Sequence, residues 1–235
     1  MAMKHPLTIF VLTLLGFFGY FEPISAQSDS VIPVGKFSGA TAGSELPDDW
    51  IPLKFMRILK NTHYSLVDDD GFVVLKAASN ASASGLIRKI KIDSKKYPLL
   101  SWRWKITGIY SKSDINKKEG DDHPARLFVI YGDDFKSDIS LENAQTVLNY
   151  IWASKASVGT IAPNPYAVQC KMIVVRSGKD ALNEWAAEEQ NVYEDYKRIF
   201  GKEPPMITGV GIMTDSDDTK ESAVSFYGDI SFKKK

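Results

Sequence analysis

The stretch LLSWRWKIT, residues 99 to 107, places Leu100, Trp102, Trp104 and Ile106 on one side of an extended chain and Ser101, Arg103, Lys105 and Thr107 on the other. A period of two is that of a strand with one buried face and one wet face. The two indoles therefore belong to a core. Arg103 and Lys105 face solvent, where two long donors would offer hydrogen bonds to hydroxyls or to acidic sugars.

The chain on either side repeats this logic in short units. Tyr64 to Val67 and Phe72 to Ala77 read as a hairpin joined by Asp68 to Gly71, whose Asp-Gly pair supplies the positive φ of a tight turn. Leu86 to Ile92, Arg126 to Tyr131, Val147 to Trp152, Val168 to Arg176 and Met206 to Met213 are further β-branched and aromatic runs bounded by turn residues. In the closing run, Val224, Phe226, Ile230 and Phe232 are expected on the core face, with Ser225, Tyr227, Asp229 and Ser231 opposite. One segment has helical spacing instead: Leu182, Trp185, Val192, Tyr196 and Ile199, with Asp180 as the expected cap and Gly201 followed by Pro204 and Pro205 as the stop. The expected fold is mostly β: about nine strands in a two-sheet antiparallel jelly-roll-like sandwich, with one helix over about 180–200 packed on it.

Composition narrows the function classes. Lysine plus arginine and aspartate plus glutamate both number 29, so no net field favours nucleic acid. Cys170 is the lone cysteine, which precludes an internal disulfide and a cysteine-held metal; it reads as a small buried hydrophobe. Lys4, the apolar run from Leu7 to Phe21, and Ser25 with Ala26 read as a signal peptide over 1–26, leaving one domain at 27–235. The run is shorter than the ~20 residues of a membrane span, so no stable anchor is expected after cleavage, and the address is periplasmic or secreted.

ASASGLIRKIKID at 81–93, YPLLSWRWK at 97–105, GDDHPARLFVIY at 120–131, PNPYAVQCKMIVVRSG at 163–178 and MTDSDDTKESAVSFYGDI at 213–230 carry a resemblance to the uncharacterised bacterial family called domain of unknown function 3047. The resemblance implies a secreted protein and assigns no catalytic residue. More loosely, the Trp-rich strand and the closing FYGDISF run are similar to the jelly-roll sandwiches of many carbohydrate-binding modules.

Several constellations are candidates for chemistry. Asp121, Asp122, His123 and Arg126 share one loop at the mouth of a strand, as a salt-bridge network, a ligand site or a catalytic group. Asn164 and Tyr166 border a Pro-kinked loop suited to a binding rim. Asp215, Asp217, Thr219 and Glu221 place oxygens at alternate positions, as a structural calcium would require, with Asp229 or the Asp121 and Asp122 pair as further ligands. The spelling Asp215-x-Asp217-x-Thr219 also matches the nucleophile signature of haloacid-dehalogenase-type phosphatases, but an all-β chain lacks the doubly wound sheet that signature needs. No HExxH helix, GxSxG elbow, P-loop or dinucleotide fingerprint is present. The leading expectation is a domain that binds a glycan or other polyhydroxylated envelope component without catalysis, through Arg103, Lys105, Asp121, Asp122, Arg126, Asn164 and Tyr166. The alternatives are a carbohydrate-active hydrolase or lyase using a loop carboxylate, and a protein-interacting envelope component.

Overall fold

The LLSWRWKIT stretch forms a strand over Leu99–Ile106, and both of its edges are occupied. Ala186–Asn191 pairs with it antiparallel along one edge, while Ile230–Lys233 and Ser222–Tyr227 follow one another along the other. The computed structural model describes residues 1, 30–47, 49–132 and 146–235; the leader expected over 1–26 and the start of the following segment lie outside them. In chain order the strands are β1 (Val31–Gly35), β2 (Trp50–Leu53), β3 (His63–Asp69), β4 (Phe72–Asn80), β5 (Gly85–Ile92), β6 (Leu99–Ile106), β7 (Ala125–Tyr131), β8 (Thr146–Ala153), β9 (Ile161–Pro163), β10 (Cys170–Ser177), β11 (Ala186–Asn191), β12 (Ile207–Met213), β13 (Ser222–Tyr227) and β14 (Ile230–Lys233), with one helix, α1 (Val192–Phe200).

These strands build two sheets. The first runs β1-β14-β6-β13-β4-β3, with β11 on the second edge of β6; the second runs β2-β5-β12-β7-β8-β10-β9. The mostly-β sandwich with one helix is therefore the observed fold. Aromatic side chains join its layers: Trp102 and Trp104 meet edge to face at 5.3 Å, Trp102 lies 5.5 Å from Tyr150, and Trp104 lies 6.1 Å from Trp152. The buried Trp104 N–H is satisfied by Glu188 on β11 at 3.2 Å, so a core residue and a strand pairing depend on each other. The expected hairpin is present, with Asp70 and Gly71 at φ +55° and +85° between β3 and β4.

Four expectations need correction. The sandwich is not purely antiparallel, because β8 and β10 pair parallel from Val147 and Cys170 onward and the chain crosses over between them through β9. Among the described residues fourteen strands replace about nine: β1, β2, β9 and β11 are short or polar, and the closing run is two strands. In that run the core face of β13 belongs to Ala223, Ser225 and Tyr227, leaving Val224 and Phe226 on the outer side, whereas β14 buries Ile230 and Phe232 as expected. The break at Gly228 and Asp229 moves the alternation by one residue, which turns every side chain before it to the other face. The helix is the fourth correction. It begins at Val192, where the Asn191 side chain accepts from the Glu194 N–H at 3.1 Å, and Ala186–Asn191 before it is strand. Its expected end is correct, with Gly201 at φ +68°.

The helix closes one end of the sandwich. Tyr196 packs 4.6 Å from Tyr131, and Tyr150 donates to Asp195 at 2.9 Å. Trp104→Ala is expected to cost about 3–5 kcal/mol of unfolding free energy in urea titrations, through a cavity at the junction of both sheets. Asn191→Ala should cost about 1 kcal/mol and Asp180→Ala close to nothing, because only Asn191 caps the helix.

Candidate functional site

The two sheets treat their outer faces differently. Every residue of β7, β8 and β12 is buried, because Phe55, Ile58, Ile115, Ala162 and Ala167 cover the outside of the second sheet. In β6 the side chains alternate between buried and half-buried, so the first sheet keeps a face toward solvent. A cleft of about 600 Å³ lies on that face, lined by Ser38, Phe72, Ser101, Arg103, Glu188, Glu189, Asp229, Ser231 and Lys233 among others. That volume is in the range of small-ligand sites.

Arg103 and Lys105 project from β6 on this face but are used differently. The Lys105 ammonium is committed to Asp69, at 2.6 and 2.7 Å. Burial alone would raise the Asp69 carboxyl, but hydrogen bonds from Lys105 and Trp185 and the charges of Lys105 and Arg103 hold it below its ordinary value. The Arg103 guanidinium stands 5.2 Å from the Phe72 ring centre and 4.6 Å from that of Trp185. Among the described residues it has no carboxylate within ion-pair distance. A Cβ on Gly228 would come within 2.5 Å of the Arg103 Cγ and Nε, so a larger residue there would force the Arg103 side chain to move. Asp229 also lies at this cleft, where it accepts from the Ser38 N–H at 2.9 Å and the Ser38 hydroxyl at 2.5 Å.

The remaining candidate residues meet elsewhere, under the loops that cover the second sheet. Arg126, 2% exposed, directs Nε and Nη2 at the two Asp215 oxygens, at 2.9 and 2.6 Å, and also binds Asp121 through its carboxylate and its carbonyl. Asn164 donates to Asp121 at 2.6 Å, and both Asp122 oxygens accept from the backbone N–H groups of Asp218 and Thr219. Tyr166 stands half-exposed above them with its hydroxyl 2.8 Å from Asp218. Burial pushes the Asp215 carboxyl well up against the pull of Arg126, with Asp122 and Asp121 adding repulsion. Asp121 feels the same burial, but Arg126 and His123 hold it below the usual range. Asp218, also desolvated and beside Asp217 and Asp122, is pushed up to about 6 despite its bond to Tyr166. His123 is driven down by burial and by Arg126.

The structure thus divides the predicted residues between two places. Arg103 and Asp229 share the cleft; Asp121, Asp122, Arg126, Asn164, Tyr166, Asp215 and Asp217 share the buried cluster. Glu221 joins neither, holding the Ser111 and Lys112 backbone instead. Phe72, Trp185, Glu188 and Glu189 escape sequence reasoning as cleft residues, because Trp185 at helical spacing masks a strand. The Asn191-x-x-Glu194 cap signal would have moved the helix start and exposed that strand.

The family model described as "Protein of unknown function (DUF3047)" matches residues 48–231. The chain belongs to that family. No curated protein matches this DUF3047 chain. Among solved structures it is similar to the family 29 carbohydrate-binding module CBM29-2, at 9% identity and a TM-score of 0.38 over 86% of this chain and 91% of that one. It is also similar to the Emp47p carbohydrate recognition domain, at 12% identity and 0.45 over 88% and 96%, and to the xyloglucanase domain of NopAA from Sinorhizobium fredii, at 10% and 0.43 over 83% and 97%.

Arg126→Met should cost about 3–5 kcal/mol in denaturant unfolding, because it leaves buried carboxylates without their cation. Asp69→Asn is expected to cost about 1 kcal/mol at neutral pH. Because the folded Asp69 value lies below 3.8, its contribution is full above that pH and is lost as the pH falls through the folded value. The Asn variant should therefore converge with the parent protein in acid unfolding curves.

Proposed function

We propose that this protein is exported, to the periplasm or beyond, and binds a glycan in the cleft over the first sheet without transforming it. The observation that supports this most is Arg103, a guanidinium braced by two aromatic rings and committed to no carboxylate among the described residues. Its donors are available for paired oxygens, and a planar fork suits vicinal hydroxyls or a sugar carboxylate. Phe72, 55% exposed beside it, supplies an apolar ring face, and the hydroxyls of Ser38, Ser101 and Ser231 line the same cleft. Such a mixture suits a ligand whose rings have apolar faces and polar edges. The acidic residues there are already engaged: Glu188 by Arg176 and Trp104, Glu189 by Ser101 and Lys233, and Asp229 by Ser38. A hydrolase or lyase acting through Asp121 or Asp122 would need those carboxylates to touch substrate, and at 5% and 0% exposure they are enclosed by protein.

Isothermal titration against neutral and uronate-containing oligosaccharides tests this reading. Binding is expected, with chains unchanged on chromatography afterwards. Arg103→Ala should weaken it by about 10-fold or more, the loss of charge-assisted hydrogen bonds. Gly228→Ala should weaken it too, because the added Cβ would push the Arg103 side chain away from its two rings. Cleaved chains would make the protein an enzyme; heat unchanged by both substitutions, or no sugar bound at all, would remove the cleft from consideration and favour a protein partner.

A further inference from the structure

At the buried cluster one guanidinium faces more carboxylates than it can neutralise. Asp121, Asp122 and Asp215 are 5%, 0% and 3% exposed, and half-buried Asp217 and Asp218 stand at their edge. Among the described residues Arg126 is the guanidinium or ammonium in contact with the buried carboxylates, and the His123 imidazole stands 3.6 Å from Asp121. Lys112 and Lys220 direct their ammonium groups at the carbonyls of Thr219 and Asp217 instead. Buried surplus charge of one sign is neutralised either by protons or by a bound counter-ion.

Three of these carboxylates are within the reach of one ion. One oxygen from each of Asp122, Asp215 and Asp217 lies within 4.8 Å of the other two. Two oxygens on opposite sides of a calcium ion, each at about 2.4 Å, are about 4.8 Å apart, so the three fit one coordination shell.

A buried hydroxyl gives an independent indication. Thr219 Oγ1 is buried at 1% exposure and has no hydrogen-bond partner among the described residues, although the backbone N–H of the same residue donates to Asp122. Buried hydroxyls are normally paired. Neutral oxygens are what a hard cation takes up beside carboxylates to complete a shell of six to eight. The turn carrying Asp215 to Thr219 is also held in place independently of any ion, since Ser216 bonds Ser79 at 2.6 Å and its N–H donates to Ser82.

We propose that Asp122, Asp215 and Asp217 bind one calcium ion, with Thr219 Oγ1 as a neutral ligand, tying the 215–219 turn to the 121–123 segment. The site is independent of the cleft and of Asp229. Calcium suits it better than magnesium, because magnesium demands a regular octahedron and retains its waters.

The test uses the full chain stripped with EDTA, followed by differential scanning fluorimetry with calcium chloride, magnesium chloride at matched ionic strength, and the Asp217→Asn and Thr219→Val variants. Calcium should raise Tm by about 3–6 °C at roughly ten times its Kd, and magnesium by less. Asp217→Asn spares the Arg126 anchor, so the variant should fold and lose the calcium response; Thr219→Val should fold and reduce it. Arg103→Ala should retain the full response, which separates this site from the glycan cleft. No rise and no calorimetric binding up to about 10 mM calcium, above the range of weak extracellular sites, would overturn the proposal. So would an undiminished rise in Asp217→Asn, or an equal rise with magnesium.

Discussion

A strand with both edges paired can be neither an edge nor a linker, and β6 is such a strand. Its two edges accept β11 on one side and β14 followed by β13 on the other. This fixes the direction of every side chain on it. Trp102 and Trp104 enter the space between the sheets and meet Tyr150 and Trp152 of β8, while Ser101, Arg103 and Lys105 stand on the opposite face. The same constraint that assembles the core therefore places the candidate binding groups, and the Trp104–Glu188 bond couples the two.

The outer sides of the sandwich serve different ends. The central strands β7, β8 and β12 of the second sheet are sealed on both faces, which places Arg126 and its carboxylates in a medium where each charge needs a partner. Such a cluster organises loops: Asp121 and Asp215 meet on Arg126, Asp122 holds the 218–219 turn, and Asn164 joins the crossover before β10. The first sheet remains open to water, where Arg103 rests on aromatic rings with its donors free of carboxylates among the described residues. Polar groups of similar type are thus structural in one place and available for recognition in the other, according to burial.

What could be read from the chain follows from how local each signal is. The two faces of β6, the Asp70–Gly71 turn and the helix stop at Gly201 depend on residues within a few positions of one another, and all three are observed. Leu182 and Trp185 imitate helical spacing, yet Ala186–Asn191 is strand because β6 offers it an edge from far away in sequence. A propensity pattern cannot record a partner roughly 90 positions upstream, and tertiary pairing overrides it. Likewise, Tyr227 turns inward because the chain breaks at Gly228, which a uniform alternation cannot anticipate.

By itself the sequence determined a mostly-β chain of neutral charge, the strand that centres it, and which residue types could bind an ion or a sugar. The tertiary structure decided which of them meet. It joined Asp122, at one strand's mouth, to Asp215 and Asp217, 93 and 95 positions later, and left Asp229 at the other sheet's cleft. The physical reason is that charge pairing and burial act through space, and a strand order that brings distant loops together is a property of the assembled sheets.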